Sequence, residues 1–293
     1  MLTAMRLRFL IVATCCVAVA VAGATWTRAA WTRSAASAVT PPTLTWRNVR
    51  IGAASGILVL PAQPRTLAIV IHGGEIAANR PRAALSTRVA ARVYAARLAP
   101  LGIGVLSVDY RWSGYGGGEL RDAEAALSFA TRDPGTAGLP RILIGASHGG
   151  YLAALAATTQ SAKAAQVRAV VDLYGFSNLG ATVSDPSSRY DGQARLTVRE
   201  LGPPARNAAA YAARSPLSRA KRLTAPLLQV VGGRDRATQP DVIALTRAIR
   251  ASGRTPVLHV IPRSTHGFAF GTAASPLVWR QVDDFLQRLH LAN

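Results

Sequence analysis

The sequence predicts an α/β fold: a doubly wound, mostly parallel sheet of about eight strands, with helices on both faces and a small cap insertion. Three observations predict it. Short apolar runs of strand length alternate with longer stretches of helical character along most of the chain. Runs such as Leu67-Ala68-Ile69-Val70-Ile71 and Ile142-Leu143-Ile144 are continuous rather than alternating, as strands buried on both faces are. The alternation breaks once, over residues 176–224, which are more polar and are punctuated by Asp185-Pro186, Gly202-Pro203-Pro204 and Ser215-Pro216. That stretch reads as a cap or long excursion over the strand ends, with a helix near residues 205–213.

Taken in order, the chain begins with Arg6 and Arg8, then an uncharged apolar run over residues 9–24 that closes on Ala22-Gly23-Ala24. A basic start, an apolar middle and an A-x-A site describe a secretory signal peptide over residues 1–24. The alternative is an uncleaved membrane anchor with Trp26 at the interface. Residues 25–44 are rich in Ala, Ser, Thr and Pro and read as a tether, which leaves residues 45–293 as one domain. An opening hairpin is expected from residues 45–51 and 56–60 around Ala53-Ala54-Ser55-Gly56. A strand over residues 67–71 leads into His72-Gly73-Gly74-Glu75. Leu85, Val89, Val93 and Leu98 keep helical spacing over residues 81–99, and Pro100 with Gly102 ends that helix. A strand at 105–108, an aromatic glycine-rich loop at 112–118, a helix at 119–131 and strands at 142–144 and 167–174 follow. After the excursion come a strand at 227–231, a helix at 241–251 and a strand at 257–261. The last helix has Ser275 as N-cap, Pro276 at its first position, and Val278, Val282, Phe285, Leu286 and Leu289 on one face.

Composition removes several function classes. Both cysteines, Cys15 and Cys16, lie in the apolar leader, so the mature chain has no disulfide, no cysteine nucleophile and no Cys-ligated metal. Thr14 and Cys15 precede them where a lipoprotein signal has a small Gly or Ala, which argues against a lipid anchor. A net charge of +20 invites a nucleic-acid role. However, only Lys163 and Lys221 are lysines, and the arginines are scattered over several helices without an interleaved aromatic block. They read as solvated faces with at most a weak attraction to anionic envelope polymers or lipids, and no nucleic acid is expected. Nothing implies a metal or an organic cofactor, and the oligomeric state is left open.

The chemistry centres on Gly145-Ala146-Ser147-His148-Gly149, a G-x-S-x-G between a short apolar strand and a run of small helix-forming residues. That context makes it a nucleophile elbow. The flanking glycines are needed because a Cβ would clash where strand and helix nearly touch. Serine needs a base, and the base needs a third group to hold it. Asp235 follows the strand at 227–231 and His266 follows the strand at 257–261, in the order Ser, Asp, His. Asp172 competes for the acid role but falls within a strand, while Asp241 suits a helix start. Among the other histidines, His72 has the wrong chain order, His148 adjoins the serine, His259 lies inside a strand and His290 ends the last helix. The oxyanion donors are expected from the main chain of His148 and of Gly74, with Gly73 the second choice in that turn.

Gly145-x-Ser147-x-Gly149-Gly150-Tyr151 resembles the catalytic domain of prolyl oligopeptidase-type and acylaminoacyl-peptidase-like enzymes and dienelactone-hydrolase-type esterases, all α/β-hydrolases. Asp109-Tyr110-Arg111, Ser215-Pro216-Leu217, Pro226-Leu227-Leu228, Gly232-x-x-Asp235 and His266-Gly267-Phe268 carry the same resemblance. It implies an α/β-hydrolase fold with a Ser147, Asp235, His266 triad and the Gly74 and His148 amides as oxyanion hole. The short tether leaves no room for the β-propeller that gates those peptidases, so the expectation is a small exported esterase. Glu75 departs from both family patterns, which have proline or glycine there, and could meet a substrate cation or solvent. Trp112, Tyr115 and Phe268 are candidates for pocket walls or for packing. An aminopeptidase- or amidase-type hydrolase, a non-catalytic scaffold acting as a binding module, and a basic envelope-binding protein are the alternatives.

Overall fold

The computed structural model describes residues 43–73, 80–186 and 192–292, with the side chains of residues 80–86 excepted. The signal and most of the tether, together with Gly74 and Glu75, lie outside the described residues. Eight strands are β1 (Leu44–Ile51), β2 (Ala54–Pro61), β3 (Thr66–Ile71), β4 (Ile103–Asp109), β5 (Arg141–Ala146), β6 (Val167–Leu173), β7 (Leu227–Gly232) and β8 (Val257–Ile261). They form one sheet in the order β1-β2-β4-β3-β5-β6-β7-β8. β1 pairs antiparallel with β2, and β2 with β4; every pairing from β4 to β8 is parallel. The opening hairpin turns two residues earlier than its sequence suggests, because Ala54 and Ser55 already pair with Ile51 and Arg50. Gly52 supplies the left-handed turn residue at φ 59°.

The helices are α1 (Arg80–Leu98), α2 (Gly118–Arg132), α3 (His148–Ala156), α4 (Gln160–Ala164), α5 (Leu179–Ser184), α6 (Gly192–Leu201), α7 (Ala208–Ala213), α8 (Gln239–Ala251) and α9 (Ser275–Arg288). Side chains alternate across each strand and feed two cores. In β3, Leu67, Ile69 and Ile71 face a core built with α2 and α3. Ala68 and Val70 face a second core built with α1 and α9. Central strands buried on both faces explain the unbroken apolar runs.

Two helix expectations are corrected. On α1 the buried face is Ala90, Ala91, Tyr94, Ala95 and Leu98, whereas Val89 is 50% exposed. Alanines let the helix sit close to the sheet, and an alanine stripe gives almost no hydrophobic periodicity to read. On α9, the N-cap is Ala274, and the Ser275 hydroxyl instead donates to Ala269 O at 2.8 Å. Val278, Val282, Phe285 and Leu286 are buried on the expected apolar face and Trp279 is added to it, whereas Leu289 falls one residue past the helix and is half-buried.

The segment between β6 and β7 carries α5, α6 and α7, more helix than the single one expected there. It is tied to the 112–118 loop: Gly114 N–H donates to Gln193 Oε1 and Tyr115 N–H to Thr197 Oγ1, both at 2.8 Å. The Tyr151 hydroxyl reaches from α3 to Arg214 O at 2.9 Å.

Asp172 is 1% exposed within β6. Its carboxylate accepts from Gly175 N–H at 2.8 Å and Gln229 Nε2–H at 2.9 Å. Burial outweighs these donors and raises its pKa to about 6. The native state therefore holds a proton that the unfolded chain releases near pH 4, and stability falls as pH rises between those values. Asp172→Asn removes that loss. The variant is expected to gain up to about 3 kcal/mol over wild type at pH 8, and little at pH 4. Denaturant midpoints at the two pH values check it; an equal difference at both would contradict it.

Candidate active site

The turn from β5 into α3 places Ser147 at φ 56°, ψ −123°, outside the regions that L-residues favour. Main-chain contacts hold it there. Ser147 N–H donates to Leu173 O at 2.8 Å, and Tyr151 N–H to Ser147 O at 3.1 Å. A Cβ on Gly145 would lie 2.2 Å from Gly149 O, and one on Gly149 only 1.9 Å from Ile71 O. The crossing of strand and helix is thus closed to any side chain. The turn after β3 is equally tight: a Cβ on Gly73 would lie 2.2 Å from Ala146 O and 3.1 Å from Ser147 Cβ. This brings the His72-Gly73 turn against the nucleophile. The first N–H groups of α3 have no helical partners and face the site, with the positive end of the helix dipole behind them.

The base and the acid arrive from the loops after β8 and β7. Ser147 Oγ lies 2.7 Å from His266 Nε2, and His266 Nδ1 lies 2.7 Å from Asp235 Oδ2. Gly233 N–H donates to Ile261 O and Arg234 N–H to Ser264 O, both at 2.9 Å, which locks the two loops together. Asp235 also accepts from the Thr238 hydroxyl at 2.7 Å and from the Ala237 and Thr238 N–H groups at 3.2 Å. Burial pushes its pKa up, but the hydrogen bonds from His266 and Thr238 outweigh burial and hold it below the usual value. An ionised Asp235 accepts the Nδ1 proton, so Nε2 presents its lone pair to the serine hydroxyl. The three groups therefore form a proton-relay geometry suited to nucleophilic attack by Ser147, that of a serine hydrolase.

Two residues that support this geometry escaped the sequence reading. Thr238 sits three residues after Asp235, a spacing that a side-chain turn motif would have flagged. Tyr174, at φ 49°, meets the His266 ring edge-on with centroids 5.0 Å apart. A bulky residue in the left-handed region has no sequence signature.

The other candidates fall elsewhere. Asp172 bonds within the core, and Asp241 Oδ2 accepts from Ser177 and Asn178 N–H at 2.7 and 2.8 Å, latching the chain after β6. His72 stacks on Tyr110 at 4.6 Å, and burial lowers its pKa to about 4. Trp112 and Tyr115 pack edge-on against the His148 ring at 4.9 and 4.8 Å. Phe268, 4% exposed, packs on Tyr174 at 5.1 Å. These three aromatics are engaged in packing around the triad's supports. Glu119, in the first turn of α2, lies 2.8 Å from His148 Nε2 and is fully buried. Burial raises its pKa, with His148 acting in the opposite direction. Among the described residues no three His, Cys, Asp or Glu side chains are grouped as a metal site requires.

Ser147→Ala is expected to abolish covalent labelling by a fluorophosphonate probe. Asp235→Asn is expected to slow labelling by roughly 10³- to 10⁴-fold, because the imidazole loses its tautomer control. Intact-mass kinetics measure both; labelling that survives in the alanine variant would place the nucleophile elsewhere.

The model of the prolyl oligopeptidase family matches residues 102–291. No curated protein matches the chain in sequence. Among solved structures, the hyperthermophilic esterase from Pyrobaculum calidifontis superposes with a TM-score of 0.66 at 18% identity, over 85% of this chain and 84% of that one. A bifunctional GH43-CE protein from Bacteroides eggerthii gives 0.65 at 21% identity, over 80% of this chain and 36% of that one. The acylaminoacyl peptidase of Pyrococcus horikoshii gives 0.64 at 16% identity, over 84% of this chain and 42% of that one. The chain thus spans well under half the length of the last two. At these identities the superpositions establish the α/β-hydrolase fold. The family match extends from the loop before β4 through α9, and the chain belongs to the prolyl oligopeptidase family.

Proposed function

We propose that the protein is an exported serine hydrolase that cleaves carboxylic esters through an acyl-enzyme. The observation that carries the reading is the relay of two 2.7 Å contacts from Ser147 through His266 to Asp235. Ser147 Oγ attacks the ester carbonyl while His266 Nε2 takes its proton. The carbonyl oxygen becomes an oxyanion beside the His148 N–H, with Gly74 or Gly73 as the second donor that the family resemblance implies, each such donor typically lowering the barrier by about 3 kcal/mol. His266 then returns the proton to the departing alkoxide. A water molecule, deprotonated by His266, attacks the acyl carbon and frees Ser147.

Support for an ester over a peptide comes from the Pyrobaculum esterase, which this chain matches over 84% of its length. The family match supports a second reading, an aminopeptidase- or amidase-type hydrolase using the same triad. A series of nitrophenyl esters compared with aminoacyl anilides separates them. Ester turnover is expected to exceed anilide turnover at every acyl group, and to vanish in Ser147→Ala. Faster anilide turnover would replace the first reading with the second.

Export rests on Arg6, Arg8 and the apolar run closing at Ala22-Gly23-Ala24. Weak attraction to an anionic envelope surface is part of the same proposal. A cleft of about 440 Å³ beside β1 supports it, lined by Trp46, Arg47, Asn48, Ile57, Arg88 and Arg92, of which Arg47 is paired with Asp133. Trp46 is 46% exposed, and an exposed indole beside the Arg88 and Arg92 guanidiniums suits a phosphate-bearing interface. The exported protein is expected to begin at Thr25 by mass. It should sediment with phosphatidylglycerol vesicles at low salt and be released at about 0.5 M salt, where exposed charges are screened. Trp46→Ala with Arg88→Glu should abolish sedimentation; undiminished binding would remove this surface from the proposal.

A further inference from the structure

His148 has two ends with different tasks. Its main chain is the first residue of α3, beside the nucleophile, where its N–H can meet an oxyanion. Its side chain turns away from Ser147 into a buried aromatic cage. Tyr115, Trp112, Tyr110 and Tyr151 surround the ring, with centroids 4.8, 4.9, 5.6 and 6.0 Å away. Within that cage Nε2 meets Glu119 Oε2 at 2.8 Å, with the two side chains 6% and 0% exposed. The same oxygen accepts from Gly116 N–H at 3.4 Å, while Oε1 has no partner among the described residues.

A buried carboxylate is costly, and apolar residues of similar volume would fill an aromatic cage without that cost. The hydrogen-bonded Glu119–His148 pair is therefore informative about what this position needs. The direction of the His148 N–H is set by ψ of Ser147 and φ of His148, and Ser147 is in a strained conformation that its surroundings must enforce. Gly145, Gly149 and Gly73 confine the turn from the main-chain side. The Glu119 contact grips the residue after the serine by a hydrogen bond to its side chain, and it does so from a separate helix. The hydrogen bond sets the ring's direction, and the ring belongs to the residue whose N–H faces the site.

We propose that Glu119 is a positioning residue for the oxyanion hole: through the His148 ring it aims the main-chain N–H that faces the substrate's carbonyl oxygen. This rests on the ester-hydrolysis reading above. A misdirected donor loses transition-state binding and leaves ground-state binding unchanged.

The test uses the full chain, nitrophenyl ester turnover per fluorophosphonate-titrated site, and binding of a trifluoromethyl ketone that mimics the tetrahedral intermediate. Glu119→Gln keeps the shape and removes the charge. It is expected to lower kcat about 10- to 100-fold, part of the loss caused by deleting a donor, with KM changing less than about 2-fold. Ketone affinity should fall by the same factor as kcat. Unchanged kcat per titrated site, or a raised KM at constant kcat, would overturn the proposal. Glu119→Asp, which keeps the charge but withdraws it by one methylene, is measured alongside and should show the same parallel loss. If neither variant is recovered folded, Glu119 is a stability residue and the proposal fails. Wild-type protein that hydrolyses no ester would overturn the function itself, a different outcome from an active wild type and an equally active Glu119→Gln.

Discussion

The closeness of α3 to the strands beneath it governs the whole site. With Gly149 seated over the Ile71 carbonyl and Gly145 over the Gly149 carbonyl, helix and sheet touch main chain to main chain. This packing lets the chain reverse at Ser147, and that reversal lifts its side chain clear of the sheet. The strain at φ 56° is local, but its support is distributed over β3, β5, β6 and α3. A loosened crossing would let the serine relax toward ordinary backbone angles and withdraw from His266.

The parallel pairing of β5 through β8 supplies the rest of the geometry. Parallel strands all end at the same edge, so the loops after β5, β7 and β8 meet there regardless of their distance in sequence. Ser147 and His266, 119 positions apart, close to a 2.7 Å contact because the strands carrying them lie three places apart in one sheet. The loops then bond to one another through Gly233 and Arg234, so the acid and base move as one unit.

Three buried carboxylates show how the surroundings divide one functional group into different roles. Asp235, with donors from His266, Ala237 and Thr238, is held ionised as the imidazole's partner. Asp172 has two donors, too few to offset burial, and is raised toward neutrality inside the sheet. Glu119 has the His148 imidazole and a long contact from Gly116 N–H, in an aromatic cage behind the nucleophile. Number of donors and access to water, not residue type, separate the three.

Much of this was legible in residue order. Unbroken apolar runs marked the central strands, and a serine between glycines followed by Asp235 and His266 just past later strands marked the triad. These features are local: a strand's length and a turn's chemistry are written in adjacent residues. The alanine face of α1, the grip of Thr238 on Asp235, the left-handed Tyr174 against His266 and the Glu119–His148 pair were not legible. Each depends on which elements pack together. Glu119 and His148 are 29 residues apart on different helices, and no spacing rule joins them. By itself the sequence marked the order of the strands and brought a serine, an aspartate and a histidine to the ends of three of them. The tertiary structure alone decided what surrounds them, because burial and partner choice arise only when helices close over the sheet and exclude water.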